Sequence, residues 1–281
     1  MKSRIPSGLP WVLPALLILV TLSIYPMIYS VKVSITDASG AFTLVNFIRL
    51  FQDRLFGAAA VQTTVLTLVA LVIEFVLGLA LAVLIDSLAR ARSVFRAGLL
   101  VPMLLPPVVA AVAWRLIYNP QFGVLNGTLR RIGVNTAPLT WTSGENSALL
   151  SVILVDVWEW TPFLFLLLSA GLQAIPPEPI EAARIDGAGA WRIFRDVTLP
   201  LLKPTVLLAL LLRAMDLVRI FDQIFILTQG GPGTATETVS LYIYRTAFRF
   251  SNFGYAAAMS FVLLAATIVF SRGLMRLMRA R

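Results

Sequence analysis

The chain contains no cysteine and no histidine. The first absence removes disulfides and thiolate metal sites, and the second removes the commonest metal ligand and general base. Charge is scarce as well: Asp, Glu, Lys and Arg make up 13% of the 281 residues, against roughly 25% in soluble domains. No GxxxxGK[ST] pattern occurs to cradle phosphates, and no metal or nucleophile motif appears. ATP hydrolysis is therefore not expected of this chain, and any enzymatic reading is left with carboxylates alone. No small-x-small cleavage site closes the first apolar run, Trp11 to Tyr29, which has Pro14 and Pro26 inside it. That run reads as a retained helix rather than a cleaved signal peptide. With no fixed repeat and no low-complexity tract, the chain is expected to form a single transmembrane domain over 1–281.

What is present is apolar sequence, 58% of the residues. Stretches of about 20 apolar residues suffice to cross a bilayer, and candidates fall near 10–31, 61–86, 98–118, 148–172, 202–228 and 254–274. The expectation is an all-α integral membrane protein with six crossings, which puts both termini on one side. Lys and Arg outnumber Asp and Glu by 23 to 14, and their distribution sets the orientation. Lys2, Arg4, Arg90, Arg92, Arg96, Arg184, Arg192, Arg195, Lys203, Arg272, Arg276, Arg279 and Arg281 fall on the side of the termini, and fewer fall opposite. The bias predicts cytoplasmic termini, and the basic excess reads as topology and anionic-lipid contact rather than nucleic-acid binding.

One polar interruption, EAARIDGAGAWRIFRDVTLPLLKP from Glu181, lies on the cytoplasmic side in this orientation. Pro179 suits a first helical turn, and Glu181 places negative charge near the positive end of that helix. Ala183, Gly187 and Ala190 recur at i, i+4, i+7, a small-residue stripe that permits close approach to another surface. After Gly189, Ala190, Ile193, Phe194 and Val197 oppose Arg192, Arg195 and Asp196, the pattern of a helix at the membrane interface. Pro200 and Pro204 are expected to break the register before the next crossing. On periodicity alone the segment is either a docking element or a solvated interfacial linker.

Ionisable side chains within a bilayer cost a few kcal/mol each on insertion scales, so each is a functional candidate. Asp156, Glu159, Trp160 and Phe163 share one face of the fourth span, and Arg213, Asp216, Leu217 and Ile220 repeat that spacing in the fifth, with Arg219 and Asp222 wrapping around from it. Carboxylates accept hydrogen bonds from hydroxyls and aromatic rings pack on the apolar face of a pyranose, so the mixture suits a sugar. The alternative is an interhelical ion-pair network joining Arg213 or Arg219 to Asp156 or Glu159. Glu74 and Arg115 stand apart from this group, Glu74 as a packing or polar-bridge residue and Arg115 snorkelling to the outer interface. Trp11 and Trp141 read as interface anchors, and Gly230-Gly231-Pro232-Gly233 as a flexible outer turn.

Glu181-Ala182-Ala183, then Asp186-Gly187-Ala188, Leu199-Pro200 and Lys203-Pro204, resembles the EAA loop of binding-protein-dependent ABC importer permeases, in their sugar-transporting branch. Phe95 to Asn126 and Leu227 to Ser260 are similar to two further regions of carbohydrate permeases of the maltose and glycerol-phosphate type. The resemblance implies the six-helix permease fold, with 176–201 as a cytoplasmic coupling loop. Glu181, Ala182, Ala183, Asp186 and Gly187 would seat in an ATPase subunit, with Glu181 meeting a basic group there and Gly187 allowing the turn and close packing. It implies a second permease, two ATPase subunits carrying ATP and Mg, and an extracytoplasmic substrate-binding protein touching the outer loop. It also implies a bacterial plasma membrane and a sugar moved by alternating access along the two helices flanking the loop. No cofactor is expected in this chain. Two other classes stay open: an ion-coupled secondary transporter using Asp216, Arg219 and Asp222, and, with less in its favour, an intramembrane enzyme using Asp156 and Glu159.

Overall fold

A computed structural model of the protein describes residues 9–37, 39–86, 92–136, 140–145 and 147–279. Lys2, Arg4, Arg90 and Arg281, used above for orientation, lie outside the described residues. The regular secondary structure among the described residues is helical, apart from one isolated bridge between Thr36 and Phe42. In order the helices are α1 (Leu9–Ser34), α2 (Val45–Gln52), α3 (Arg54–Asp86), α4 (Arg92–Leu100), α5 (Pro107–Ile117), α6 (Val124–Arg131) and α7 (Ser147–Gln173). They continue with α8 (Pro177–Ile185), α9 (Ala190–Ile193), α10 (Leu199–Leu217), α11 (Asp222–Leu227), α12 (Val239–Tyr244) and α13 (Phe253–Arg279).

Among the described residues five helical runs are long and apolar enough to cross a membrane: Trp11–Ser34, Arg54–Ile85, Ser147–Gln173, Ala190–Leu217 and Phe253–Gly273. The sixth expected crossing, 98–118, is divided. After α4 a 3₁₀ turn covers Pro102–Leu104, Leu105 and Pro106 are extended, and α5 restarts at Pro107. Proline lacks a donor and pushes the residue before it out of the helical region, so three prolines within six positions force the interruption.

The fifth crossing differs in the opposite sense. Pro200 and Pro204 do not break it: helix runs from Ala190 to Leu217, with Pro200 in the first turn of α10 and Pro204 inside it. The adjustment is made upstream by a π-helical turn, Phe194–Thr198, which joins α9 to α10. The interfacial helix expected at 190–197 is thus the beginning of the crossing itself. The crossing stops at Leu217, where Arg219 and Ile220 donate backbone bonds to Asp216 and Leu217 in a turn that leads into α11.

The chain divides into two compact units, Met1–Phe56 with Tyr242–Ala265, and Gly57–Leu241 with Ala266–Arg281. In the first, Leu50, Ala247, Tyr255, Ala256 and Met259 form a small core. Beside it Asp53 caps α3, accepting the Leu55 and Phe56 amides at 2.9 and 3.2 Å. Its other oxygen accepts the hydroxyls of Tyr242 and Tyr255 at 2.7 and 2.6 Å. Burial pulls the Asp53 carboxyl upward, but these phenol and amide donors outweigh it and hold the group below its ordinary value. α1 contributes little to this core, since its side chains from Trp11 to Tyr29 are exposed.

In the second unit α7 is the central element. Gly78 of α3 lies so close to it that a Cβ there would come within 2.9 Å of Leu164 Cβ. Gly171 of α7 does the same for α10, where a Cβ would meet Leu202 and Thr205 at 2.7 Å. These two close approaches let Ala82, Ile85, Leu164, Phe165, Leu168, Leu202 and Ala209 form one core. Trp141 belongs to this unit's packing rather than acting as a bare interface anchor. Its ring stacks on Tyr118 at 5.7 Å and its indole N–H donates to Asn126 Oδ1 at 2.7 Å. Trp11, by contrast, is exposed.

Candidate functional site

The charges expected on two helices are drawn together from three. Arg213 of α10 is 2% exposed and forks onto Glu74 of α3, Nε to Oε2 at 2.7 Å and Nη2 to Oε1 at 2.9 Å. Nη2 also donates to Asp156 Oδ2 of α7, and Nη1 to Asp216 Oδ2 at 2.6 Å. The guanidinium carbon lies 5.0 Å from the centre of the Trp160 ring, in cation–π range. Phe163 meets Trp160 edge-on at 6.3 Å. Glu159, one turn beyond Asp156, is fully buried. Its Oε2 accepts from Gln223 Nε2 of α11 at 2.8 Å, and its Oε1 has no hydrogen-bond partner among the described residues.

The sequence pattern explains most of this arrangement. The i, i+3 spacings of Asp156 with Glu159 and of Arg213 with Asp216 put each pair on one helix face. A planar guanidinium then forks two N–H groups onto Glu74 while its others reach Asp156 and Asp216. Glu74 is a correction: it does not stand apart but forms the most complete contact in the cluster. Spacing along a helix finds neighbours on that helix, and Glu74 lies 139 positions from Arg213. What could have found it is its isolation, the one charge in the apolar run from Val61 to Ile85, which needs a counter-charge when buried.

The other expected residues are placed differently. Ile220 is buried at the turn after α10. Arg219 is exposed and folds its Nε back onto the Met215 carbonyl at 3.0 Å. Arg115 is exposed, with Nη1 3.4 Å from the Ile226 carbonyl oxygen. The glycine-rich turn is closed by its own bonds: Thr236 Oγ1 to the Gly231 carbonyl at 2.9 Å, and Thr236 N–H to the Gly230 carbonyl at 3.1 Å. Chemically, the cluster holds three helices in register. It presents one carboxylate that is not enclosed, Asp216, whose side chain is 52% exposed and whose partner Arg213 lies over the Trp160 ring.

The polar interruption forms a helix two residues earlier than Pro179 suggested, starting at Pro177. It ends in a Schellman cap: Gly187 takes φ +78°, its N–H donates to Arg184 O, and the Ala188 N–H donates to Ala183 O, both at 3.0 Å. A Cβ on Gly187 would meet nothing within 4 Å, so within this chain the glycine serves the turn and not close packing. Ile180 and Arg184 line a groove of about 430 Å³ with Leu172, Ile193 and Phe194. Glu178, Glu181, Ala182 and Ile185, at i, i+3, i+4, i+7, form a different face, and all four are exposed, Ile185 to 86%. Ala183 is half-buried, and Asp186 is exposed at the cap.

With this geometry in place, comparison with known proteins assigns the class. Residues 74–281 match the family described as binding-protein-dependent transport system inner membrane component. The chain belongs to that family, and it is a multi-pass membrane protein of the ABC transporter permease class. It is 40% identical over 231 residues to the trehalose/maltose transport system permease protein MalF of Thermococcus litoralis, covering 81% of this chain and 77% of that one. It is 36% identical over 265 residues to the trehalose transport system permease protein SugA of Mycobacterium tuberculosis, covering 92% and 84%. In fold it is similar to a chain of the bacterial alginate ABC transporter solved with its alginate-bound periplasmic protein. That likeness has a TM-score of 0.83 at 22% identity and covers 94% of this chain and 91% of the other.

Proposed function

We propose that this chain is a membrane subunit of an ATP-driven, binding-protein-dependent importer for a sugar or sugar derivative. The observation that carries the coupling half of this reading is the outer face of α8. Glu181 and Asp186 flank an apolar Ile185 that is 86% exposed on a helix fixed by a glycine cap. An exposed isoleucine between carboxylates on a rigid helix is suited to a cleft with an apolar floor and a basic rim. In this reading the cleft belongs to a cytoplasmic ATPase subunit, where ATP and Mg are bound, and both termini of this chain are cytoplasmic. ATPase closure pushes α8, the push passes through the continuous helix from Ala190 to Leu217, and Asp216 near its end moves relative to α7. Substrate then passes by alternating access between this chain and a second permease, after delivery by an external binding protein. The sugar assignment draws on the names of the relatives and on a half-exposed carboxylate, Asp216, whose partner Arg213 lies over the Trp160 ring. Family membership does not favour an ion-coupled transporter or an intramembrane enzyme.

Glu181→Lys and Gly187→Val test the coupling half. Both should abolish uptake of a radiolabelled sugar by the complete importer and weaken copurification of the ATPase, while membrane insertion is unchanged. Undiminished uptake in both variants sinks the assignment.

A further inference from the structure

The groove beside α8 does not end there. Its section at α8, lined by Leu172, Ile180, Arg184 and Thr198 among others, holds about 430 Å³. A second section of about 610 Å³ follows α3 past Phe75, Leu79, Ala80 and Leu84 and touches Trp191. The two share Val83, Ala190 and Phe194, so they form one furrow. Its character changes along its length. Arg184 and Thr198 carry the only charged and hydroxyl groups among the described lining residues, and both belong to the section at α8. From Leu84 to Phe75 the second section runs along a crossing helix for about 14 Å, close to one leaflet of a hydrocarbon core about 30 Å thick. Arg184 is exposed, and its side chain forms no ion pair or hydrogen bond among the described residues. Of the carboxylates on adjoining segments, Asp196 is held by Arg195 at 2.7 Å. Glu178 and Glu181 lie on the other face of α8, and Asp186 stands exposed at its cap.

We propose that this furrow holds one acyl chain of a phospholipid from the leaflet on the α8 side, with the lipid phosphate on the Arg184 guanidinium. Lipid tails are as apolar as the lining, so filling the furrow would not by itself single out one lipid from its neighbours. The guanidinium supplies the retention, because it stays charged and forks onto phosphate oxygens. The deep section is too small to admit a helix, which at 10–12 Å across displaces roughly 1,100 Å³ or more over the same length. The lipid thus fills the space between α3, α8 and the start of the Ala190–Leu217 helix. This goes beyond the import reading and does not depend on it.

The test uses the complete importer in nanodiscs of phosphatidylethanolamine and phosphatidylglycerol, the latter carrying a diazirine midway along one acyl chain. The complex is re-extracted and washed in detergent until the surrounding lipid is gone, then either weighed intact by native mass spectrometry or irradiated and mapped by peptide. One retained phospholipid per copy of this subunit is expected, with the adduct between Phe75 and Leu84 or at Trp191. Ala80 is exposed, so Ala80→Trp fills the furrow without disturbing the core and should abolish both retention and adduct. Ala190→Leu serves if that variant does not assemble. Arg184→Gln keeps the furrow open and should lower retention several-fold. No retained phospholipid, a retained detergent molecule only, adducts confined to other segments, or retention unmoved by either Ala80→Trp or Arg184→Gln overturns the proposal. None of these outcomes touches the sugar-import reading, which stands or falls on uptake in the Glu181 and Gly187 variants.

Discussion

Arg213→Leu is expected to cost this protein most of its folded yield, and the size of the effect follows from which partners it strands. Glu74 and Asp156 have side chains 0% and 2% exposed, whereas Asp216 is 52% exposed and can be rehydrated. Removing one member of a buried ion pair costs about 3–5 kcal/mol, because the remaining charge has neither water nor partner. The exposed Asp216 pair contributes about 1 kcal/mol or less. With two carboxylates stranded, the loss is at least about 5 kcal/mol, comparable to the whole stability of an ordinary domain. Neutralising the stranded groups isolates the charge term, so Arg213→Leu combined with Glu74→Gln and Asp156→Asn should recover much of the loss. The assay is the thermal unfolding midpoint and monodisperse yield of the purified subunit in detergent. A wild-type midpoint in Arg213→Leu, or a triple variant no better than the single one, would refute the reasoning.

Further substitutions probe packing and the hydrogen bonds to Asp53. At Gly171 even a methyl group would stand 2.7 Å from Leu202 and Thr205, so Gly171→Ala should destabilise by about 1–3 kcal/mol. Gly98→Ala, with nothing within 4 Å of the added carbon, should be neutral or gain up to about 1 kcal/mol by thermal unfolding; equal effects at the two positions would contradict the close α7–α10 approach. Asp53, held below its ordinary value by its phenol and amide donors, contributes stability that is fully present above about pH 4 and is lost as pH falls through the lowered value. The unfolding midpoint should drop on acidification below about pH 4, and Tyr242→Phe with Tyr255→Phe should flatten that drop; an unchanged acid limb would show that the phenols do not set it.

The legible part of this molecule was the part written in local spacing. Apolar runs long enough to span a bilayer located five crossings, and i, i+3 pairing put Asp156 with Glu159 and Arg213 with Asp216. The motif at Glu181 marked α8, and the positive φ of Gly187 is the kind of conformation that only glycine adopts readily. What stayed hidden depends on contacts between distant segments. Glu74 meets Arg213 only because Gly78 and Gly171 let three helices approach closely, and no periodicity records that. Gln223 as the partner of Glu159 was invisible for the same reason. The prolines were ambiguous in another way. Pro102, Pro106 and Pro107 interrupt a helix, while Pro200 and Pro204 are absorbed by a first-turn position and an upstream π turn. Proline chemistry is the same at both places, and the difference lies in the neighbouring backbone.

The most direct measurement uses Glu181→Cys in this cysteine-free chain, assembled with its ATPase in inverted membrane vesicles and in intact cells. The account predicts that a short reagent carrying a maleimide for this thiol and a photoreactive benzophenone for any neighbouring C–H bond joins it to the ATPase subunit in the vesicles, and that a membrane-impermeant maleimide applied to intact cells leaves it unmodified. Labelling of residue 181 from outside intact cells, with no crosslink to the ATPase, would contradict it.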